Sequence, residues 1–386
     1  MKVFLKTSPG LEKISALEAF EITGKRFESY EEILTSDCDS KDLFKLLFYA
    51  RSAERIGIVA GELKILDNTE KVVGDNTENN LQYDKIEDVF FYKDESVNRI
   101  LDFLKFSNFS FKTESCECFK RKYEKSFRKF LRKSVSDILI GKGFLQDLKN
   151  PDFYFLIFKI GKNFFVGIDF GELQKRKYAV FNTSFSLRHS IVYSLLRMGG
   201  FTRDFKGALI DLTSKSDFLI ESVLYQKNCI NEAKNINNKL ILDLGKYLVG
   251  EKFDSTAFEN ETNKNEKECV DKKNNLSFVA YSNCKQILNI TRKNSLIAGV
   301  EGILFTDEKE KVIELLKSNK KKIVFAQTNG LKELNELKKF IEVLKNSVLM
   351  IVSSKEIGPV YLKTKFEKHI IFQGLNAIFL YKLCFD

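Results

Sequence analysis

The last third of this 386-residue chain restricts its fold more than any other stretch. There, the apolar runs "LSFVAYS", "GILF", "KIVFA" and "VLMIVSS" alternate with "KQILNITRKNSLIAGV", "DEKEKVIELLKSN" and "LKELNELKKFIEVLKNS". In the last of these, Leu334, Leu337, Phe340, Ile341 and Leu344 recur at the spacing of one helix face. Short apolar strands joined through amphipathic helices form crossovers, so a doubly wound parallel sheet is expected. The pattern extends back to residue 186 through the helix "SFSLRHSIVYSLLRMGGF", the strand "ALIDL" and helices near Leu219–Tyr225 and Asn237–Val249. The pair "HIIFQ…AIFLYKL" adds antiparallel edge strands, and 251–275, low in aliphatic residues, reads as a mobile loop.

Two smaller blocks precede this α/β block of 186–386. Residues 1–64 read as a small α+β unit: strand Val3–Thr7, helix Leu11–Glu21, strand Arg26–Ser29, helix Ser40–Phe48 and strand Arg55–Ala60. The polar stretch "LDNTEKVVGDNTENNLQYD" reads as a linker. The block 84–185 holds a helix around Val97–Leu104, the strand "FSFKTESCE" and a basic helix with Phe127, Phe130, Leu131 and Val135 at helical spacing. Pro151 then precedes a hairpin, "FYFLIFKIGKNFFVGIDF", turning at Gly161-Lys162-Asn163.

With 44% hydrophobic residues and 36 Phe the chain can bury sizeable cores. A net charge of +10 and a pI near 9.0 favour a polyanionic partner, although a generally lysine-rich composition gives the same balance. Seven cysteines without C-x-x-C spacing read as reduced thiols. Two histidines exclude a His-rich metal site, and no metal is expected. The start, "MKVFLKTSPG", is too short and polar for a signal peptide, and no apolar run approaches the length of a membrane span. A soluble, cytoplasmic protein is expected.

The three blocks, in this order, resemble the THUMP-domain RNA methyltransferases, and most closely the tRNA guanine-N2 methyltransferases. "LKTSPGLEKISALEAFEI" is similar to the opening of their N-terminal ferredoxin-like domain. "RKSVSDILIGKGFLQDLKNPDFYFLIFKIGKNFFVGIDF" is similar to the THUMP core. "LQKRKYAVFNTSFSLRHSIVYSLLRMGGF" resembles the join into the Rossmann-like methyltransferase domain, and "RKNSLIAGVEGILF" a helix and strand inside it. The resemblance implies a ferredoxin-like domain at 1–64, a THUMP domain at 84–185 and a methyltransferase domain at 186–386. It also implies S-adenosylmethionine as cofactor, and as partner a tRNA held by its acceptor stem and 3′ end.

The chemistry-bearing motifs of that family are altered here. Its Asp-Pro-x-Cys-Gly-Ser-Gly-Thr turn, where glycines let backbone approach the cofactor, corresponds to "DLTSKSDF". Asp211 is kept, both glycines are lost, and Lys215 and Asp217 would set bulky side chains where the cofactor lies. The acidic residue that binds the ribose hydroxyls falls near Ser282. The catalytic Asn/Asp-Pro-Pro-Tyr/Phe loop, which positions an exocyclic amine and stacks on its base, corresponds to Ala326, Gln327, Thr328 and Asn329. Asp307 is a further adenine-side candidate, or alternatively the N-cap of the next helix.

The binding signal is stronger. "FKRKYEKSFRKFLRK" carries Lys120, Arg121, Lys122, Lys125, Arg128, Lys129, Arg132 and Lys133 against the single acid Glu124, which reads as a phosphate-tracking face. Lys175, Arg176 and Lys177 form a second cluster at the domain join. Phe119, Tyr123 and Tyr178 are candidates to stack on unpaired bases, whereas Phe127 and Phe130 read as core. The expected function is a tRNA-binding protein of this family with an eroded catalytic site. The alternatives are an active, divergent methyltransferase, helped by a small activating subunit, and a protein-interaction scaffold.

Overall fold

A computed structural model of the protein describes residues 1–65, 86–116, 123, 125–181, 186–213, 217–229, 233–249, 276–328, 331–358, 362 and 365–386. The expected mobile loop, 251–275, and the expected linker up to residue 84 lie outside them.

The first half begins β1 (Lys2–Lys6), α1 (Glu12–Thr23), β2 (Glu28–Tyr30), β3 (Ile33–Asp37), α2 (Ser40–Tyr49) and β4 (Arg55–Ile65). It continues β5 (Ile86–Phe91), α3 (Glu95–Phe106), β6 (Ser110–Ser115), α4 (Lys125–Gly141), β7 (Leu145–Gln146), β8 (Phe153–Ile160) and β9 (Asn163–Arg176). These strands make one sheet, β2-β3-β1-β4-β9-β8-β6-β7, with β5 also on β4. Strand β4 is the joint. It pairs antiparallel with β1 on one side and with β9 on the other, so both N-terminal blocks share one hydrogen-bonded sheet. The expected hairpin is β8–β9, closing with Ile160 opposite Asn163 and with Gly161 at φ +60. A left-handed residue in a two-residue turn matches the twist of the flanking strands.

The second half runs α5 (His189–Met198), β10 (Ala208–Asp211), α6 (Phe218–Gln226), β11 (Ala233–Ile236), α7 (Asn238–Val249), β12 (Ser277–Tyr281) and α8 (Lys285–Ile297). It ends with β13 (Ile303–Thr306), α9 (Lys309–Lys317), β14 (Lys322–Thr328), α10 (Leu331–Ile341), β15 (Ser347–Ser353), β16 (Phe366–Gln373) and β17 (Asn376–Phe385). Its sheet order is β13-β12-β10-β14-β15-β17-β16. The first five strands are parallel and β17 is antiparallel to β15, as the alternation of apolar runs and helices predicts. Both faces are covered, which explains the near-continuous apolar strands. Leu209, Ile323 and Phe325 face α5 and α6, while Ala208, Ile210, Val324 and Ala326 face the layer of α9 and α10. Of the predicted α10 stripe, Leu334, Leu337, Phe340 and Leu344 are buried, and Ile341 is partly so.

One excursion is not visible in the periodicity. After α6 the chain leaves this sheet, adds β11 antiparallel to β9 of the first sheet, and sets Leu240, Ile241 and Leu244 of α7 in the N-terminal core. Among the described residues, no helix is long and apolar enough to cross a membrane, no disulfide forms, and no cluster of His, Cys, Asp and Glu could hold a metal.

Candidate functional site

Strand order reverses at β10, whose neighbours β12 and β14 lie on opposite sides. In an open parallel sheet the carboxyl ends of such strands frame the ligand crevice. Here the β10–β14 side is stitched together. The Leu212 amide donates to the Phe325 carbonyl at 2.8 Å, one residue past the end of β10. The Gln327 amide then donates to Thr213 Oγ1 at 3.1 Å, and Thr213 gives both its amide (2.9 Å) and its hydroxyl (3.2 Å) to the Asp211 carboxylate. Below them the Phe218 ring, fully buried, stacks on Phe325 with centroids 4.4 Å apart and planes 12° from parallel.

The residues expected to form a catalytic loop are therefore mostly strand. Ala326, Gln327 and Thr328 are buried in β14 and pair with Ile351, Val352 and Ser353 of β15, which carries the strand two residues past the expected "KIVFA". The reason is tertiary: β15 is long enough to supply hydrogen-bond partners three residues further than β10 does. Asn329 lies outside the described residues, as does Lys215.

A ribose diol asks for an accepting carboxylate at the end of β12. Ser282 occupies that position, buried, and its hydroxyl accepts the Cys284 amide at 3.2 Å, closing a local turn. Asp217 does not project into the crevice as expected. Its carboxylate takes His189 Nε2 at 3.1 Å and the Asn294 amide at 3.2 Å, while His189 Nδ1 meets the Gln174 carbonyl at 3.1 Å. Asp307 is exposed at the end of β13, 3.7 Å from Lys285 Nζ. It is not the N-cap of α9; Glu308 is, with its amide held by Thr306 Oγ1 at 3.0 Å. Among the described residues, no glycine lies between β10 and α6, and no carboxylate stands at the end of β12.

The second cationic cluster divides. Arg176 is buried and ion-paired with Glu221 at 2.9 Å, so it is withdrawn as an RNA contact. Glu221, in the first turn of α6, also takes Arg51 Nη1 at 3.1 Å and the Tyr178 hydroxyl at 2.7 Å. Tyr178 is consequently buried and does not stack on bases. Burial opposes the charge on Glu221, but Arg176 and Arg51 outweigh it and hold the carboxyl at about 2. A parallel site forms at Glu54, which takes Lys6, Ser8 (2.5 Å) and Arg188 (2.8 Å); against its burial, Lys6 and Arg188 hold it at about 2. Arg51 and Glu54 belong to the first sheet unit, Glu221 and Arg188 to the second, so these ions pin the two halves together. Composition hides this role, because a buried arginine and a solvated one read alike in sequence. Lys175 and Lys177 are exposed, and Lys175 pairs with Glu172 at 2.9 Å.

The basic helix α4 keeps its predicted polarity. Leu131, Val135, Ser136 and Leu139 are buried, with Phe127 and Phe130 packed beside them, while Lys125, Lys129, Arg132 and Lys133 are exposed. Arg128 is half-buried rather than exposed, and Tyr123 packs on Phe127 and Phe164 with its hydroxyl 3.1 Å from Lys159 Nζ. Phe119, Lys120, Arg121 and Lys122 lie outside the described residues.

No protein-family model and no curated protein sequence matches the chain. Solved structures do. SMU.472, solved in complex with SAH, superposes with a TM-score of 0.67 at 14% identity, over 100% of this chain and 98% of that one. A predicted N6-adenine-specific DNA methylase from Listeria monocytogenes gives 0.67 at 14%, over 100% and 96%. TrmN from Thermus thermophilus gives 0.61 at 14%, over 100% and 99%. The likeness spans both halves of the molecule, and with the strand order it establishes that this chain has a methyltransferase fold.

Proposed function

We propose that the protein binds tRNA through its N-terminal half and carries a methyltransferase fold that no longer performs methyl transfer. The observation that carries the reading is the stitched β10–β14 edge. Two strand ends that would flank a cofactor are joined through Thr213, above the core stack of Phe218 on Phe325. Asp211, the acidic residue of the turn that matches the family pattern, accepts hydrogen bonds from Thr213. Ser282 in place of a carboxylate removes the ribose contact, and Ala326 in β14 removes the polar group that would position an amine.

Binding is supported by the exposed cations of α4, with Lys175 and Lys177 at the join, and by the resemblance of 84–185 to a THUMP domain. Phosphates of the acceptor stem and 3′ end are the ligands such a face tracks. The test is calorimetric titration of S-adenosylmethionine into the purified protein, with methyl transfer to tRNA assayed in parallel. No saturable heat and no transfer are expected. A dissociation constant in the low micromolar range, or turnover on tRNA, would overturn the reading.

A further inference from the structure

Away from the crevice, a cavity of about 470 Å³ lies between the two halves. Helix α6 starts at the carboxyl end of β10 and runs back, so Tyr225, near its last turn, stands toward the opposite edge of the sheet. Tyr225 lines the cavity together with Arg197 of α5, Arg203 of the turn before β10, and Glu18, Glu21 and Lys45 from α1 and α2.

The charges are unevenly matched. Arg197 is spent: its guanidinium takes Glu21 at 2.5 and 2.8 Å and the hydroxyls of Tyr193 and Tyr225 at 3.0 and 3.1 Å. Glu18 accepts the amides of Arg51 (2.9 Å) and Ser52 (2.8 Å), and burial pushes its carboxyl up, toward the neutral form. Two cations remain. Arg203 places its guanidinium over the Tyr225 ring, 5.2 Å from the centroid, and Arg197 makes a like contact at 5.5 Å. Neither Arg203 nor Lys45 has a hydrogen-bond or ion-pair partner among the described residues, and both are exposed at the mouth. The contact with Tyr225 orients the Arg203 fork while leaving its donors open, an arrangement suited to bidentate capture of an oxyanion.

We propose that this cavity is a binding site for a phosphomonoester, with Arg203 and Lys45 holding the phosphate and the Tyr225 wall taking the organic part. Two unmatched cations suit the roughly −1.5 to −2 charge of a monoester near neutral pH better than the single charge of a diester. The phosphate has two sources, a free small molecule or the phosphorylated end of an RNA, and the test separates them.

Binding of AMP, inorganic phosphate and adenosine to the full chain is measured by calorimetry. Saturable binding of AMP and phosphate is expected, and none of adenosine. Arg203→Ala and Lys45→Ala should each weaken AMP at least tenfold, while Lys162→Ala, on the exposed β8–β9 turn, leaves it unchanged. Competition by a 5′-phosphorylated oligoribonucleotide, but not by its 5′-hydroxyl form, assigns the site to an RNA end; without competition, a free phosphomonoester is the ligand. Absence of saturable AMP and phosphate binding, or affinity that survives both cavity substitutions, overturns the proposal.

Discussion

Replacing Glu221 with Gln tests whether the buried ions hold the two halves together. Glutamine keeps the volume and an acceptor oxygen but removes the charge shared by Arg51 and Arg176. A carboxyl held at about 2 in the folded protein, against its ordinary 4.5, corresponds to about 3 kcal/mol of stability at neutral pH. Removing one partner of a buried ion pair costs about 3–5 kcal/mol, because the remaining charges stay desolvated. A loss of roughly 3–4 kcal/mol is therefore expected at pH 7. Because the folded carboxyl titrates below the unfolded one, its contribution is fully present above about pH 5 and vanishes as the pH falls toward 2. The gap between parent and Glu221→Gln should close over the same window. The assay is urea unfolding followed by far-UV circular dichroism and by tyrosine fluorescence, since the chain has 13 Tyr and no Trp. Lys175→Ala, which breaks an ion pair whose lysine is 58% exposed, serves as the control and should cost under about 1 kcal/mol. A Glu221→Gln loss below about 1 kcal/mol at pH 7, or a gap as large at pH 3 as at pH 7, would refute the reasoning.

Three further outcomes are expected. Reversing Lys125, Lys129, Arg132 and Lys133 to Glu should weaken tRNA binding at least tenfold and flatten the slope of log affinity against log salt by about three; equal weakening from Lys311, Lys317, Lys320 and Lys345 to Glu would reduce the effect to bulk charge. Gly10→Ala should destabilise the fold by about 2 kcal/mol, because Gly10 has φ +94 and a β-carbon there would strike the Ile370 carbonyl of β16. An unfolding free energy unchanged within about 0.5 kcal/mol would contradict that contact. Thr213→Val should cost about 1 kcal/mol by removing the link between Asp211 and Gln327, yet confer no S-adenosylmethionine binding, since it restores neither glycine of the turn; a gain of cofactor affinity would contradict the proposed loss of methyl transfer.

Local pattern carried the second sheet. Its strands are buried on both faces and its helices on one, so the period of the apolar residues states both element type and parallel topology, and α10 and β8–β9 lie where the spacing places them. The same holds for α4, whose exposed cations and buried Leu131, Val135 and Leu139 follow from a 3.6-residue repeat. The lack of any glycine between Gly207 and Gly245 was also legible, because it is a fact of composition. What the chain does at long range was not. Strand β3, the extension of β4 to Ile65 and the pairing of β11 with β9 each depend on a partner strand far away in sequence. Strand β14 runs on to Thr328 because β15 supplies hydrogen bonds there, turning an expected loop into buried strand. Arg176 reads as a surface cation in "QKRKY" and is a core residue, because Glu221, 45 residues on, compensates its charge. Sequence alone determined most helices and the parallel strands of the second sheet, since these depend on neighbours along the chain. Only the tertiary structure decided which charges are buried and how far β14 extends, since a residue's environment is set by residues that meet it in space.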